Sequence, residues 1–505
     1  MYTREKALAS LHAAGLSDIL YLASSDVFSA RVESYWSLTT QPKPWAIVRL
    51  RKTEEASKVV KATVAMPDIE FAVRSGGHMQ WHCANNLTNG ITIDLGLMNS
   101  TTYDPKTGVT SLQPGARTAA ILTKERMVAG GREGKVGIGG LLTGEGKTFY
   151  MCRVGFACDQ VVNCEIVLAD GFVANANATT NLGHFRAPKA VDVWDSTITY
   201  PKKATAQLSE AIVDFTKNLA AYPDDHVLAM WTYLPKMEEH FIMMNMMNPD
   251  GVNPTVSAAT KMNSFVVPSE KYLPTDHFKS ASVFGSLIST LKTQVPNSNF
   301  YTQMVLQALP VSFGAHSTAR GGNMMGLDQI KEDFVLLVWA VEVDTPELNE
   351  NVAGPALKSA IEEIEMYARS VKGDVRFRYL NYCDKEQDLL ESYGEENVRH
   401  MREVADKHDP DGEFQRRVPG VLKIPKVGGL SALYLFVCVG VHWVMDGLYI
   451  VRELPMTIVQ QSHGEQEYLD LFITQVSILS NTIAKYCGLS SRLQGVIVGQ
   501  QDKCF

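Results

Sequence analysis

Apolar residues fall at helical spacing along TEEASKVVKATVAM, residues 53–66, and the segment runs directly into FAVRSGG, a short apolar stretch that ends in a glycine turn. That order predicts a helix feeding a strand. Downstream, ITIDLGL at 91–97 and VTSLQPG at 109–115 read as strands, and VVNCEIVLA and FVANAN flank Asp170-Gly171, a pair suited to a tight hairpin turn. The first 180 residues therefore read as a glycine-punctuated region of mixed helix and strand.

Beyond residue 200 the units lengthen. A helix is predicted in ATAQLSEAIVDFTKNLAAY, with others around 277–293 and 352–370, and strands in HVLAMWTYL, EHFIMMNM, YTQMVLQAL and FVLLVWAVEV. Antiparallel strands with helices between them make an α+β sheet domain. Met243, Met244, Met246 and Met247 are expected to line a core or pocket, since thioethers fill irregular apolar gaps.

Length and charge narrow the classes. A chain of 505 residues exceeds the roughly 250–300 that one core sustains, so two or three domains are expected. A net charge of -8 without a long basic run excludes a nucleic-acid partner. None of the eight cysteines forms a C-x-x-C pair, which leaves buried free thiols rather than a zinc or dithiol centre. The opening MYTREKALASLHAAGLSDIL has no apolar core of a secretory signal, so a cytoplasmic location is expected and the sequons at Asn86, Asn99 and Asn177 are incidental. The apolar run LSALYLFVCVGVHWVMDGLYIV is broken by His442 and Asp446, short of the roughly 20 residues of a membrane span. No membrane partner is expected.

The chemistry concentrates in two glycine-rich stretches. In VRSGGH, Val73 to His78, consecutive glycines let the backbone approach a ligand and turn successive N–H groups toward an anion, and Arg74 adds charge; a pyrophosphate suits such a loop. In VGIGGLLTGEGKT, Val136 to Thr148, a dinucleotide fingerprint fails at Leu142 and a Walker loop fails at Leu141. What remains is a glycine-rich turn against a flat ligand.

Taken in order, PWAIVRLRKTEEASKVVKATVA, FAVRSGGH, GITIDLGLMNSTTYDPKTGVTSLQPGA, GGREGKVGIGGLLTGEG, GFACDQVVNCEIVLADG and the closing FRYLNYCDKEQDLLESYGEENVRHMREVADKHDPDGEF resemble the FAD-linked oxidases with a PCMH-type domain, the berberine bridge enzyme-like group, in its fungal form. The likeness spans about residues 40–425. It implies an α+β fold: a two-subdomain PCMH-type FAD-binding domain plus an α+β substrate domain built on an antiparallel sheet. The implied layout is a helical segment at 1–40, the FAD domain at 41–190, the substrate domain at 191–375, a return to the FAD domain at 376–425, and an unmatched extension at 426–505.

The resemblance also implies the site. His78 would bond covalently to the flavin 8α-methyl, with Arg74, Ser75, Gly76 and Gly77 around the pyrophosphate. Gly137, Ile138, Gly139 and Gly140 would run beside pyrophosphate and ring, Cys158, Asp159 and Val162 would flank the flavin, and Asn381 and Tyr382 would lie near the ring. Glu133 stands where doubly linked members carry cysteine, so a single histidyl link is expected. Tyr382, placed beside Asn381 on a strand with Tyr379 on the opposite face, is a candidate catalytic base, and Trp81 and His82 border the pocket. The implied activity is oxidation of a small organic molecule, in secondary metabolism, with O2 as the second substrate.

Three departures stand against it. The chain is shorter between Gly115 and Met127; after NANATTN it lacks the tryptophan- and glycine-rich run that closes the adenine side; and residues 426–505 have no counterpart. The alternative is therefore a degenerate member with weak or no FAD binding.

Overall fold

The computed structural model describes residues 3–118, 128, 130–161, 163–177, 194–221, 225–248, 279–384, 387–420 and 422–424. All of them belong to one unit, Met1–Val444. The first sheet is built from β1 (Leu20–Tyr21), β2 (Ala46–Arg49), β3 (Phe71–Arg74) and β4 (Ile91–Asp94), in the order β1-β2-β4-β3. β4 runs parallel to both neighbours, and its four residues are all buried, as a central parallel strand requires. Ala7 and Leu11 of α1 (Arg4–Ala13) and Val59 of α3 (Thr53–Val64) share one core with Val48, Phe71, Ile91 and Ile93. Phe28 and Val32 of α2 (Asp26–Glu33) pack on Ile47, which points the other way from Val48. Helices thus cover both faces.

Strands β5 (Thr101–Asp104) and β6 (Val109–Leu112) form a ribbon that leads toward α4 (Ile138–Thr143). The hairpin of β7 (Asn163–Val167) and β8 (Val173–Asn177) turns where the sequence places it, with Gly171 at φ 76° and the Asp170 carboxylate accepting the Phe172 N–H at 2.7 Å.

The larger sheet holds β9 (Trp194–Pro201), β10 (His226–Tyr233), β11 (Phe241–Asn248), β12 (Phe300–Leu309) and β13 (Phe334–Val343), all antiparallel in the order β13-β12-β10-β11-β9. Its alternation is read by two different environments. Val227, Ala229, Trp231 and Tyr233 pack in one core with Leu208, Ile212 and Phe215 of α5 (Thr205–Asn218), Phe284 and Leu287 of α6 (Lys279–Gln294), and Leu357 of α7 (Gly354–Ser370). Leu228, Met230, Met243, Val305 and Val338 form a separate cluster on the opposite face, against Phe241 and Tyr382. Three of the four methionines divide accordingly: Met244 and Met246 join the helix-covered core, Met243 the other face.

After α7 the chain comes back to the first sheet. Past α8 (Glu395–His408), α9 (Glu413–Arg417) places Phe414 and the following Val418 against the core of the four-stranded sheet. Arg417 donates to the carbonyls of Thr63 and Met66 at 2.9 and 2.7 Å and of Val64 at 3.1 Å, capping the end of α3, where Thr63 also accepts the Met66 N–H, and pairs with Glu413.

One expectation is corrected here. Asn381 and Tyr382 are not on a strand; Leu380–Tyr382 is a 3₁₀ turn, in which the Tyr382 N–H donates to the Tyr379 carbonyl at 2.9 Å. Local backbone bonding satisfies the segment, so Tyr379 and Tyr382 meet edge to face at 4.8 Å instead of parting. Among the described cysteines, Cys152 and Cys383 are buried, Cys83 and Cys158 half-buried and Cys164 exposed. Asn86 is buried, its amide donating to the Thr40 and Pro42 carbonyls, which leaves no room for a glycan. Among the described residues no helix is long and apolar enough to cross a membrane. The shortened stretch at 119–127, the departure at 178–193 and the tail from 425 lie outside the described residues.

Candidate active site

The register of the parallel strands sets the foundation. Arg49 and Arg74, the last residues of β2 and β3, flank Asp94, the last of β4. Arg31 from α2 grips the same fully buried carboxylate through two bonds of 2.6 and 2.7 Å. Arg74 itself is 1% exposed, stacks over Tyr35 at 3.7 Å, and donates to the Arg31 and Ser34 carbonyls and the Ser34 hydroxyl. Its charge braces the loop from below.

That loop leaves the carboxyl end of β3, the edge of a parallel sheet where ligands gather. Gly77 takes φ 76°, and a β-carbon there would meet the Arg74 guanidinium at 2.9 Å. A β-carbon on Gly76 would lie 2.4 Å from the Gly137 nitrogen, and one on Gly137 would lie 2.3 Å from the Gly76 nitrogen. The two glycine stretches therefore touch backbone to backbone, and any side chain would part them. Ser75 ties the pair to Pro114 at 2.6 Å, Gly139 bonds the same carbonyl at 3.1 Å, and Arg117 holds the Gly76 carbonyl at 3.0 Å. Ile138 is buried, opening α4, while Gly140 faces open space.

His78 follows at the rim. Its ring lies nearly parallel to Trp36, 6.0 Å between centroids, and no hydrogen bond from the described residues holds it. Burial, then the charges of Arg117, Lys135 and Arg74, push its pKa down to about 4. The imidazole is neutral at physiological pH. Trp81 is buried with its indole N–H on the Cys383 carbonyl, and His82 is exposed near the Thr39 carbonyl.

A second wall comes from the C-terminal turn. Asn381 donates to the Leu141 and Gly144 carbonyls at 3.1 and 2.8 Å and so closes the end of α4. The Tyr379 hydroxyl accepts the Lys147 N–H at 2.7 Å. Tyr382 reaches Arg132 and Gln307. Asp159 is turned inward, accepting from the Phe156 N–H at 2.9 Å and Asn323 at 3.3 Å, while burial pushes the Cys158 thiol up. Val162 lies outside the described residues; counted from Asp159, the motif's valine is Val161, whose N–H bonds the Cys158 carbonyl at 3.0 Å.

The structure thus brings Ser75 and Gly76 against Gly137 and Gly139, and Asn381 to the far end of α4, while Tyr382 turns to Arg132 and Gln307. Sequence reading passed over Asp94 and Arg132, and met Lys147 only as the lysine of the rejected Walker loop. Lys147 sits in GEGKT, yet it is 3% exposed and directed into the protein, opposite to a phosphate-loop lysine.

Glu145 gives a prediction. Its carboxyl is buried, one oxygen lacks a partner, and burial followed by the Asp159 charge pushes its pKa up to about 8. A raised carboxyl pKa gives stability that is full below the ordinary range near 4.5 and is lost as pH rises through 8. Glu145→Gln should remove that loss, so the melting temperatures of variant and parent should match at pH 5 and diverge by pH 8, the variant higher. Parallel curves would mean that Glu145 stays solvated.

Residues 44–177 match the FAD binding domain family. The FAD-dependent monooxygenase drtC of Aspergillus calidoustus is 30% identical over 473 residues, covering 83% of this chain and 90% of that protein. Among solved structures, a variant of berberine bridge enzyme aligns with a TM-score of 0.57 at 15% identity, over 83% of this chain and 99% of that one. Glucooligosaccharide oxidase from Acremonium strictum, described with a 6-S-cysteinyl, 8α-N1-histidyl FAD, aligns with a TM-score of 0.58 at 15% identity, over 80% and 97%. The solved structures, berberine bridge enzyme among them, share the fold, and the drtC relationship extends through most of both sequences: the chain belongs to the family of FAD-dependent oxidoreductases that contains drtC.

Proposed function

We propose that this chain is a fungal oxidase of a small organic molecule, acting in secondary metabolism with FAD tethered through His78. The observation that carries the reading is the glycine-on-glycine contact of Gly76 and Gly137 beside a neutral imidazole that no described residue hydrogen-bonds. The residues fit the group: two close-packed backbone stretches can present N–H groups to a pyrophosphate, and open space lies over Gly140. Ser75 to Gly77 and Gly137 to Gly140 would hold it, with Asn381 fixing the end of α4. Bound FAD supplies the hydride acceptor and passes the electron pair to O2. The protein's part is placement: the face carrying Leu228, Met230, Met243, Val305 and Val338 offers an apolar wall, and Tyr382, beside Arg132 and Gln307, is the candidate proton acceptor.

The overall reaction then removes two hydrogens from the substrate and makes H2O2 from O2, with no oxygen atom retained. A second reading, insertion of one oxygen, is favoured by the monooxygenase name of the Aspergillus calidoustus relative. Purified protein should be yellow and stay yellow after acid precipitation. With a substrate that bleaches the flavin, peroxide formed should equal O2 consumed, and product made under ¹⁸O2 should carry no label. Labelled product would establish the second reading. Colourless protein after FAD supplementation would instead identify a degenerate member.

A further inference from the structure

Four polar side chains from separate stretches of chain meet over one end of the larger sheet. Arg132 holds Nη1 3.1 Å from His226 Nε2 and donates through Nη2 to the Gln307 amide oxygen at 2.7 Å and to the Tyr382 hydroxyl. His226 opens β10, Gln307 stands opposite Leu228, and the next row along the same face is Met243, Met230, Val305 and Val338. A polar head and an apolar row thus adjoin on one buried face of the sheet.

Lys147 completes the head. It is buried, its Nζ has no hydrogen-bond partner, and its backbone N–H sits on the Tyr379 hydroxyl, whose ring packs on Tyr382 at 4.8 Å. Among the described residues no carboxylate pairs with Arg132 or Lys147. Burial, and then the charge of Arg132, each press the Lys147 amine toward its neutral form. An anion between them would reverse both penalties. The glycine stretches offer no such group, whereas His226 and Gln307 belong to the sheet face that would carry substrate.

We propose that Arg132 and Lys147, with His226, form an oxyanion-binding subsite, and that the substrate is an organic acid whose carboxylate or acidic enol docks there while its apolar body lies along Met230, Met243, Val305 and Val338. This rests on reading that face as the substrate wall. It adds a substrate class to the reaction and gives Arg132 a positioning role beside Tyr382.

The test uses the full chain and two probes of equal size, 1-naphthoate and neutral 1-naphthamide, titrated by calorimetry. Naphthoate should bind at least about tenfold more tightly, the scale of one hydrogen bond to a charged group. Lys147→Met and Arg132→Gln should each bring the ratio close to one, and Arg132→Lys should restore part of it. Lys147→Met removes a buried amine that has no hydrogen-bond partner, so it should melt no lower than the parent, which keeps the comparison open if Arg132→Gln misfolds. Equal affinities, no binding of naphthoate, or a preference that survives Lys147→Met would overturn the proposal. So would variants that change the flavin's reduction potential while leaving the preference intact, since the cations would then serve the cofactor. Flavin content is read separately by absorbance, so loss of the oxidase reading and loss of the anion subsite give different results.

Discussion

Replacing His78 by Ala is expected to leave a folded protein from which acid releases every flavin. Nothing in the described structure depends on the His78 side chain for a hydrogen bond, and its stacking on Trp36 is its one ring contact, so the fold loses little. The link, by contrast, has no second candidate: Glu133 stands where a cysteine could serve, and it accepts from the Lys135 N–H at 3.0 Å. Because Arg117, Lys135 and Arg74 surround a buried ring, the nitrogen lone pair stays available down to about pH 4. Incubating the FAD-free full chain with FAD should therefore give covalent product at a similar extent from pH 7 to pH 5 and fail only below the imidazole's lowered pKa. The lowered pKa also means that His78 supports the fold fully above the ordinary imidazole range and less as pH falls through it toward 4. The decisive measurement is flavin absorbance in the acid-precipitated pellet of the His78→Ala protein. A yellow pellet would remove His78 from the assignment.

Asp94→Ala should produce the largest loss of stability, about 3–5 kcal/mol, the cost of removing one partner from a buried ion pair. Asp94 has no exposed surface, takes both bonds from Arg31, lies 3.4 Å from Arg49 and also accepts the Gly96 N–H at 2.8 Å. Without it, Arg31, Arg49 and Arg74 stand together with no carboxylate. Arg31 carries the carbonyl that Arg74 holds, so the disturbance reaches the strand end from which Ser75 to His78 depart. Urea titrations of parent and variant would measure the loss. A change below about 1 kcal/mol, the range of exposed ion pairs, would show that water enters the cluster.

Much of this architecture was legible because burial repeats with a period that sequence carries. The alternation in β10 separates Val227, Ala229, Trp231 and Tyr233 from Leu228 and Met230, and both sets are apolar because both faces are covered. Asp170-Gly171 announced its hairpin through a backbone angle few other residues accept. The glycines of the two loops were legible for the same reason, although their mutual contact was not, since sequence does not say which loops meet. The turn at Leu380–Tyr382 was read as strand because an alternating FRYLNY has strand chemistry; its partners, the carbonyls at the end of α4, lie some 240 residues earlier. Arg74 was expected to face a phosphate, and no local feature revealed that Tyr35, Ser34 and the Arg31 carbonyl would enclose it. Arg132 and Lys147 were equally hidden, as charged residues inside a glycine-rich stretch look like solvated loop until the second sheet is placed over them.

Arg417 holds the end of α3 across 354 residues of sequence. A nascent chain emerging at about 5–20 residues per second needs roughly 20–70 s to span that distance. Until then the last turn of α3 keeps open carbonyls, and the groove that receives Phe414 and Val418 stays unfilled. The part of the protein that is made first can be completed only by what is made late, so a ribosome-held fragment ending before residue 413 should be cut by protease at α3, and one that has released residue 418 should resist.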